Sequence, residues 1–264
     1  MDKTIYQVYY TSKNRNEKYS SHGFGDYIRG TILLYQFLKN KNINLKVNFS
    51  NHNLSHCFIC DNNLSIHDCE ENVKYIYFGS NSEIEELCNN QNKVDLIFTI
   101  NWPISEIDKD CKDFIIKNCL TPKIEFGNKI LLFKNLTEIK DYEYSIIHIR
   151  LNDDEQFNQT RLDNILKIIT SIQQNNINEK FVLITSNKMY LDSIHFPFII
   201  KTNLEVGHLG HYTTTVKECE DTMIEFMLMT TTRKIYQLSV YSWGSGFSDT
   251  INRIYNIEIE NYNI

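Results

Sequence analysis

Not one of the 264 residues is alanine, while Asn, Ile, Lys and Tyr abound. That imbalance reads as codon bias from an AT-rich genome and says nothing about activity. No apolar run reaches the length of a membrane span, and the start MDKTIYQVYY lacks a signal-peptide core, so the expectation is a soluble, cytoplasmic protein. A basic excess is missing too. With Lys+Arg 27 against Asp+Glu 33, the net charge of −6 argues against a dedicated nucleic-acid partner and leaves room for a local basic pocket. The seven cysteines are odd in number and scattered, which disfavours a disulfide framework and fits a reducing compartment. Internal repeats, low-complexity linkers and long charge blocks are also absent. Triplets such as NLS at 53–55 are accidental glycosylation matches in so Asn-rich a chain.

What remains is an ordinary globular balance, 42% hydrophobic and 23% charged, long enough for one large domain or two modest ones. Strand-like and helix-like segments alternate. TIYQVYY (4–10) reads as a strand, and a helix follows from near Asp26, where Ile28, Ile32, Tyr35 and Leu38 recur at helical spacing. NLKVNFS, VKYIYF and VDLIFTI read as strands, SEIEELC and DKDCKDFIIKNCL as helices. After about residue 140 the rhythm restarts. YSIIHIR, KFVLITSN, FIIKT and KIYQLSV are strands among the helices TRLDNILKIITSIQQNN and VKECEDTMIEFMLMT, with a last helix starting in SWGSGFSDTINRIY. This βαβ pattern predicts an α/β protein of two Rossmann-like halves facing a cleft, joined by LTPKIEFGNKILLFKNL at 120–136.

Three stretches fall where open α/β sheets bind ligands, at strand carboxyl ends and helix amino ends. In HGFGD (22–26), Gly23 and Gly25 permit a tight turn before a helix terminus that attracts anions, although a turn needing positive φ explains them equally well. The third glycine of a dinucleotide fingerprint is lacking. In YSIIHIRLNDD (144–154), alternation puts Ile146, His148 and Arg150 on one strand face. Arg150 can grip a phosphate with two parallel bonds, Asp153 or Asp154 can steady it, and His148 can donate to a nucleotide or phosphate oxygen. The plainer alternative is a buried Arg–Asp pair closing a loop. SVYSWGSGFSD (239–249) offers backbone N–H groups and Ser hydroxyls as a diphosphate cradle, or else an ordinary N-cap.

Taken in order, the three stretches resemble the superfamily of α-1,2-, α-1,6- and protein O-fucosyltransferases. A GxG turn opens the chain, His148, Arg150 and Asp153 match a strand ending in His-x-Arg-x-x-Asp, and Ser239, Tyr241, Ser242 and Trp243 match a late Ser-x-Phe/Tyr-Ser-Trp segment. Ser186 and Asn187 stand where that group has an SDD-like turn. The resemblance implies a GT-B-like glycosyltransferase, needing neither metal nor cofactor, that moves fucose from GDP-fucose to a carbohydrate or glycan acceptor. Residues 1–138 would form the acceptor-side domain and 139–264 the donor-binding domain. By carry-over Arg150 neutralises the departing diphosphate, His148 contacts the nucleotide, and Ser242 with its neighbours holds the diphosphate. Leu151 stands where many members have a second arginine, and the acid before the last strand is displaced, with Asp221 or Glu225 as candidates four residues apart on one helix face. For the acceptor's proton, Asp26, His22 and Asp154 stand open.

Two rivals accompany this reading: transfer of another nucleotide-activated sugar, and a non-catalytic carbohydrate- or nucleotide-binding module. Separately, SHCFICDNNLSIHDC carries Cys57, Cys60, His67 and Cys69, a spacing that fits a structural zinc or merely a loop filled by Cys and His. The 16 tyrosines and 15 phenylalanines are core by default, with a few free to stack on a sugar.

Overall fold

The computed structural model of the chain describes residues 3–9, 23–50, 52–60, 73–76, 81–91, 94–99, 106–152, 156–211 and 213–264. The chain forms two compact units, Met1–Phe126 with Gly207–Glu220, and Gly127–Val206 with Asp221–Ile264.

In the first unit, strands β1 (Thr4–Val8), β2 (Asn44–Asn48), β3 (Val73–Ile76) and β4 (Val94–Thr99) make a parallel sheet in the order β2-β1-β4-β3. Helix α1 (Phe24–Leu38) turns Leu33, Leu34 and Leu38 onto Ile5 of β1 and Leu45 of β2. Ile84 and Leu87 of α2 (Asn81–Asn89) complete that cluster. Helix α3 (Lys109–Cys119) starts where the Asp108 side chain accepts from the Cys111 amide at 2.9 Å, and buries Cys111, Ile115 and Cys119 at four-residue spacing.

The second unit is a five-stranded parallel sheet ordered β7-β6-β5-β8-β9, from β5 (Tyr144–Arg150), β6 (Lys180–Thr185), β7 (Ile199–Lys201), β8 (Lys234–Ser239) and β9 (Glu258–Asn263). From the central β5 the chain winds one way through α5 (Gln159–Asn175) and α6 (Lys188–Ser193) to β7. It returns through α7 (Val216–Thr230) to β8, then α8 (Gly246–Tyr255) and β9. The two faces of β5 follow from its alternation. Ile147 and Ile149 enter a cluster with Leu162, Ile165, Ile169 and Ile172 of α5. The opposite face meets α7 and α8, for the Tyr144 hydroxyl donates to the Leu228 carbonyl at 2.5 Å and His148 meets Ser248. Helices on both faces explain why β5 is buried almost throughout.

The compact units depart from the division expected at residue 138. The stretch foreseen as a link is largely helix α4 (Ile124–Thr137), and Gly207–Glu220 belongs with the first unit. That excursion is held by hydrogen bonds: Leu209 O lies 2.7 Å from His52 Nε2, and Asn53 Nδ2 donates to Thr214 O at 2.8 Å. Two further elements, α6 and the edge strand β9, lie outside the segments expected from sequence.

Candidate functional site

The switch in winding direction lies between β5 and β8, and open parallel sheets bind ligands outside the carboxyl ends of strands at such a switch. Arg150 ends β5 there, in register with Ser239 at the end of β8. His148, one pleat back, is only 6% exposed, and its Nδ1 sits 2.6 Å from Ser248 Oγ in the first turn of α8. Burial, helped by the Arg150 charge, pushes the imidazole down to about 3, so the ring is neutral across the physiological range. A role for His148 at a phosphate is therefore that of a neutral group, not a second cation.

The turn after β8 is tightly determined. The Ser239 hydroxyl accepts from the Tyr241 amide at 3.0 Å, and the Gly244 amide donates to Tyr241 O at 3.0 Å. Ser239 itself is buried, so it shapes the turn and does not face solvent, whereas Ser242 and Trp243 are exposed at the apex. Gly244 has φ +80°, and a Cβ on it would meet Gln237 Nε2 at 2.0 Å. Gln237, buried in β8, in turn accepts from the Ser245 amide at 3.2 Å and donates to Asn261 of β9 at 2.7 Å. Ser245 then caps α8 by accepting from the Phe247 amide at 3.2 Å. Above this turn the Arg150 guanidinium lies 5.7 Å from the centre of the Tyr241 ring, which stacks on Trp243 at 4.9 Å. A cation, exposed hydroxyl and indole groups, and a helix amino end thus converge at one strand end, an arrangement suited to a diphosphate.

Asp221 and Glu225 face the segment that follows β7. The Asp221 carboxylate accepts from the Glu205 amide at 3.0 Å, and Glu225 from the Thr202 hydroxyl at 2.6 Å. Burial, opposed by the Thr202 bond and reinforced by nearby Asp221, raises Glu225 to about 8. Asp221 thus holds the backbone of this segment at Glu205, and Glu225 holds the Thr202 side chain. Ser186 is exposed directly after β6, while Asn187 caps α6 by accepting from the Met189 amide at 3.1 Å.

In the first unit, Gly23 is the N-cap of α1 with φ −65° and Gly25 lies inside the helix, so positive φ explains neither glycine. A Cβ on Gly23 would stand 3.6 Å from Asp26 Oδ2 and 3.9 Å from His208 Nε2, ordinary contacts. Asp26 pairs with the buried Arg29, and His208, brought by the excursion, packs against His211 with ring centres 4.4 Å apart and planes tilted by 36°. Nearby, His52 accepts from the Leu54 amide on Nδ1, which leaves Nε2 to donate to Leu209 O, and burial holds this imidazole down at about 4. An Asp-x-Asp spacing does occur, at Asp108 and Asp110, but Asp108 caps α3 and pairs with Lys39. Of the cysteine-rich stretch, Cys57 is buried and Cys60 half-buried, while His67 and Cys69 lie outside the described residues. No cluster of three potential metal ligands occurs among the described residues. Asp153, Asp154 and His22 also lie outside the described residues.

Sequence reasoning missed Gln237, Ser248 and His208. A glutamine within an apolar strand is a weak signal, and the roles of Ser248 and His208 depend on contacts 100 and more residues distant in sequence.

No protein-family model and no curated protein matches the chain. Solved structures do. The NodZ α-1,6-fucosyltransferase soaked with GDP-fucose is similar over 96% of this chain and 93% of its own, with 14% identity and TM-score 0.60. Selenomethionine NodZ from Bradyrhizobium is similar over 96% and 92%, at 13% identity and TM-score 0.58. POFUT1 in complex with GDP is similar over 100% and 99%, at 9% identity and TM-score 0.57. Both units are parallel α/β, and the chain has the GT-B-like fold of these fucosyltransferases.

Proposed function

We propose that the protein is a glycosyltransferase that moves a sugar, fucose from GDP-fucose, onto a carbohydrate acceptor without a metal ion or cofactor. The observation that carries this reading is Arg150 at the sheet's switch point, beside the Ser239–Ser245 turn and the amino end of α8. As the acceptor hydroxyl gives up its proton to a nearby base or to water and its oxygen bonds to the sugar's anomeric carbon, the bond from that carbon to the β-phosphate oxygen breaks, and negative charge gathers on the departing diphosphate. A guanidinium fixed in advance stabilises that charge in the transition state, the work a divalent cation does elsewhere. The first-turn amides of α8 add a fixed positive field. His148 lends a neutral hydrogen-bonding group to the nucleotide. The donor is chosen from fold likeness: NodZ was soaked with GDP-fucose, and POFUT1 was solved with GDP.

A thermal-shift panel of GDP, UDP, ADP and CDP tests the nucleotide. Ligand that binds only the folded state at 100 times its Kd adds about 2.7 kcal/mol of stability, so GDP should raise Tm clearly and above the others. Equal or absent shifts would remove the guanosine assignment. Hydrolysis of GDP-fucose in water, followed as GDP release, then tests turnover in the absence of a known acceptor.

A further inference from the structure

Asp26 and His208, from distant segments of the first unit, reach the same spot beside Gly23. A Cβ built on that glycine would find two polar atoms, Asp26 Oδ2 at 3.6 Å and His208 Nε2 at 3.9 Å. Both side chains are set before anything binds. The buried Arg29 guanidinium holds Asp26 by Oδ1, which leaves Oδ2 turned toward the glycine. His208 Nδ1 accepts from the Gly210 amide at 3.2 Å, so the neutral ring carries its proton on Nε2. Its carbonyl accepts from the His211 amide at 2.8 Å and from the Thr214 hydroxyl at 2.7 Å. Gly207 locks this approach, for a Cβ there would meet Thr214 Cγ2 at 2.8 Å and Glu218 Cβ at 3.0 Å. Gly23, Asp26 and His208 are each half-buried, so solvent reaches all three.

We propose that this spot seats the acceptor's hydroxyl, with His208 Nε2–H donating to its oxygen and Asp26 Oδ2 taking its proton. The inference rests on the glycosyltransferase reading and adds His208 to it. A hydroxyl that attacks an anomeric carbon sheds its proton as the new C–O bond forms, so it needs a proton acceptor within reach. It also gains from a donor on one lone pair, which aims the other at the carbon. A carboxylate supplies the first and an imidazole N–H the second, whereas two carboxylates or two cations could not do both. The electrons of the O–H bond stay on the acceptor oxygen, its lone pair makes the bond to the sugar, and the proton ends on Asp26. The electrons of the broken sugar–phosphate bond leave with GDP. Contacts of this kind are commonly long in a free enzyme and tighten around substrate.

GDP release from GDP-fucose, with water as the acceptor, reads the seat directly. His208→Gln keeps an N–H near the place of Nε2, whereas His208→Asn keeps an acceptor near the place of Nδ1 for the Gly210 amide. A hydroxyl-binding role predicts near-wild-type kcat for the Gln variant and a loss of about 5- to 10-fold for Asn, the worth of one hydrogen bond. A purely structural role predicts the reverse, with Tm falling in the Gln variant, and would overturn the proposal, as would equal rates in the two variants. Asp26→Asn should slow the water reaction on the order of 10²-fold, while transfer to azide, an anion with no proton to lose, stays within about twofold of wild type. Parallel losses with both nucleophiles would deny Asp26 the proton, and the seat with it. GDP affinity measured by calorimetry should hold within about twofold in every variant; a larger fall would assign these residues to the nucleotide and overturn the proposal. Wild-type protein that releases no GDP with either nucleophile would instead remove the glycosyltransferase reading, and this inference with it.

Discussion

At Arg150 and Glu225 a single substitution can tell a catalytic role from a structural one. Arg150→Lys keeps a positive charge but loses the planar fork, so a two-point phosphate grip becomes a mobile point contact. On the proposed reading the charge it meets grows in the transition state, so kcat should fall on the order of 10²-fold, with Tm nearly unchanged. A variant with wild-type kcat and lowered Tm would return Arg150 to loop closure. Glu225 makes a prediction of opposite kind. Its folded value near 8 lies above the ordinary 4.5, so between those pH values the folded chain keeps a proton that the unfolded chain releases. Stability from this group is complete below about pH 4.5 and declines as pH rises through about 8. Glu225→Gln retains an acceptor for the Thr202 hydroxyl and removes the titration. It should match wild type near pH 5 and exceed it in denaturant midpoint at pH 8.5, and a parallel pH dependence in both proteins would refute the assignment.

Among the elements, the turn between β8 and α8 tolerates least change. Gly244→Ala would strain a backbone at φ +80° and drive a methyl into Gln237, breaking the bonds that tie β8, β9 and the cap of α8 together. A loss of about 2 kcal/mol or more is expected from urea unfolding, with GDP affinity falling alongside; a neutral substitution would show that the turn relaxes freely. This element also shows what was legible beforehand. The strand-to-helix change at 239–249 could be read because small hydroxyl residues and glycine follow an apolar run. Periodicity likewise gave α1, α3 and α5 close to their observed spans. Helix α4 escaped because its apolar residues lie all round it, Ile124, Leu131, Leu132 and Leu136 being exposed, so no stripe announced a helix. Strand β9 escaped because EIENYN is polar for a strand and sits at a sheet edge, where its Glu258 and Glu260 meet Lys234. At the site, residue types were readable but orientation was not: Ser239, Asp221 and Glu225 turned out to bond backbone and neighbours, since nothing in a linear sequence fixes which way a hydroxyl or carboxyl points.

For the whole molecule, the buried histidines oppose Glu225. His52 and His148 stay neutral in the fold down to about 4 and 3, while unfolded imidazoles take up a proton below about 6.5. Their share of stability is complete above about pH 6.5 and is lost on acidification toward those lower values. Together with Glu225 they place the stability maximum near neutrality, and a Tm profile rising steadily from pH 5 to 9 would contradict this. Turnover should survive EDTA; loss restored by Mg²⁺ or Mn²⁺ would disprove the metal-free reading, and loss restored by zinc alone would point to the Cys57–Cys69 stretch. No helix among the described residues is long and apolar enough to cross a membrane. The excursion Gly207–Glu220 bears on how the chain is born. The ribosome finishes the first unit's sheet with Thr99, yet His52 cannot meet its Leu209 partner until a further 157 residues beyond it have been made. At ordinary synthesis speeds the 110 residues from Thr99 to Leu209 take roughly 5–20 s, during which the nascent unit must keep a place open for a segment that emerges only after most of its neighbour.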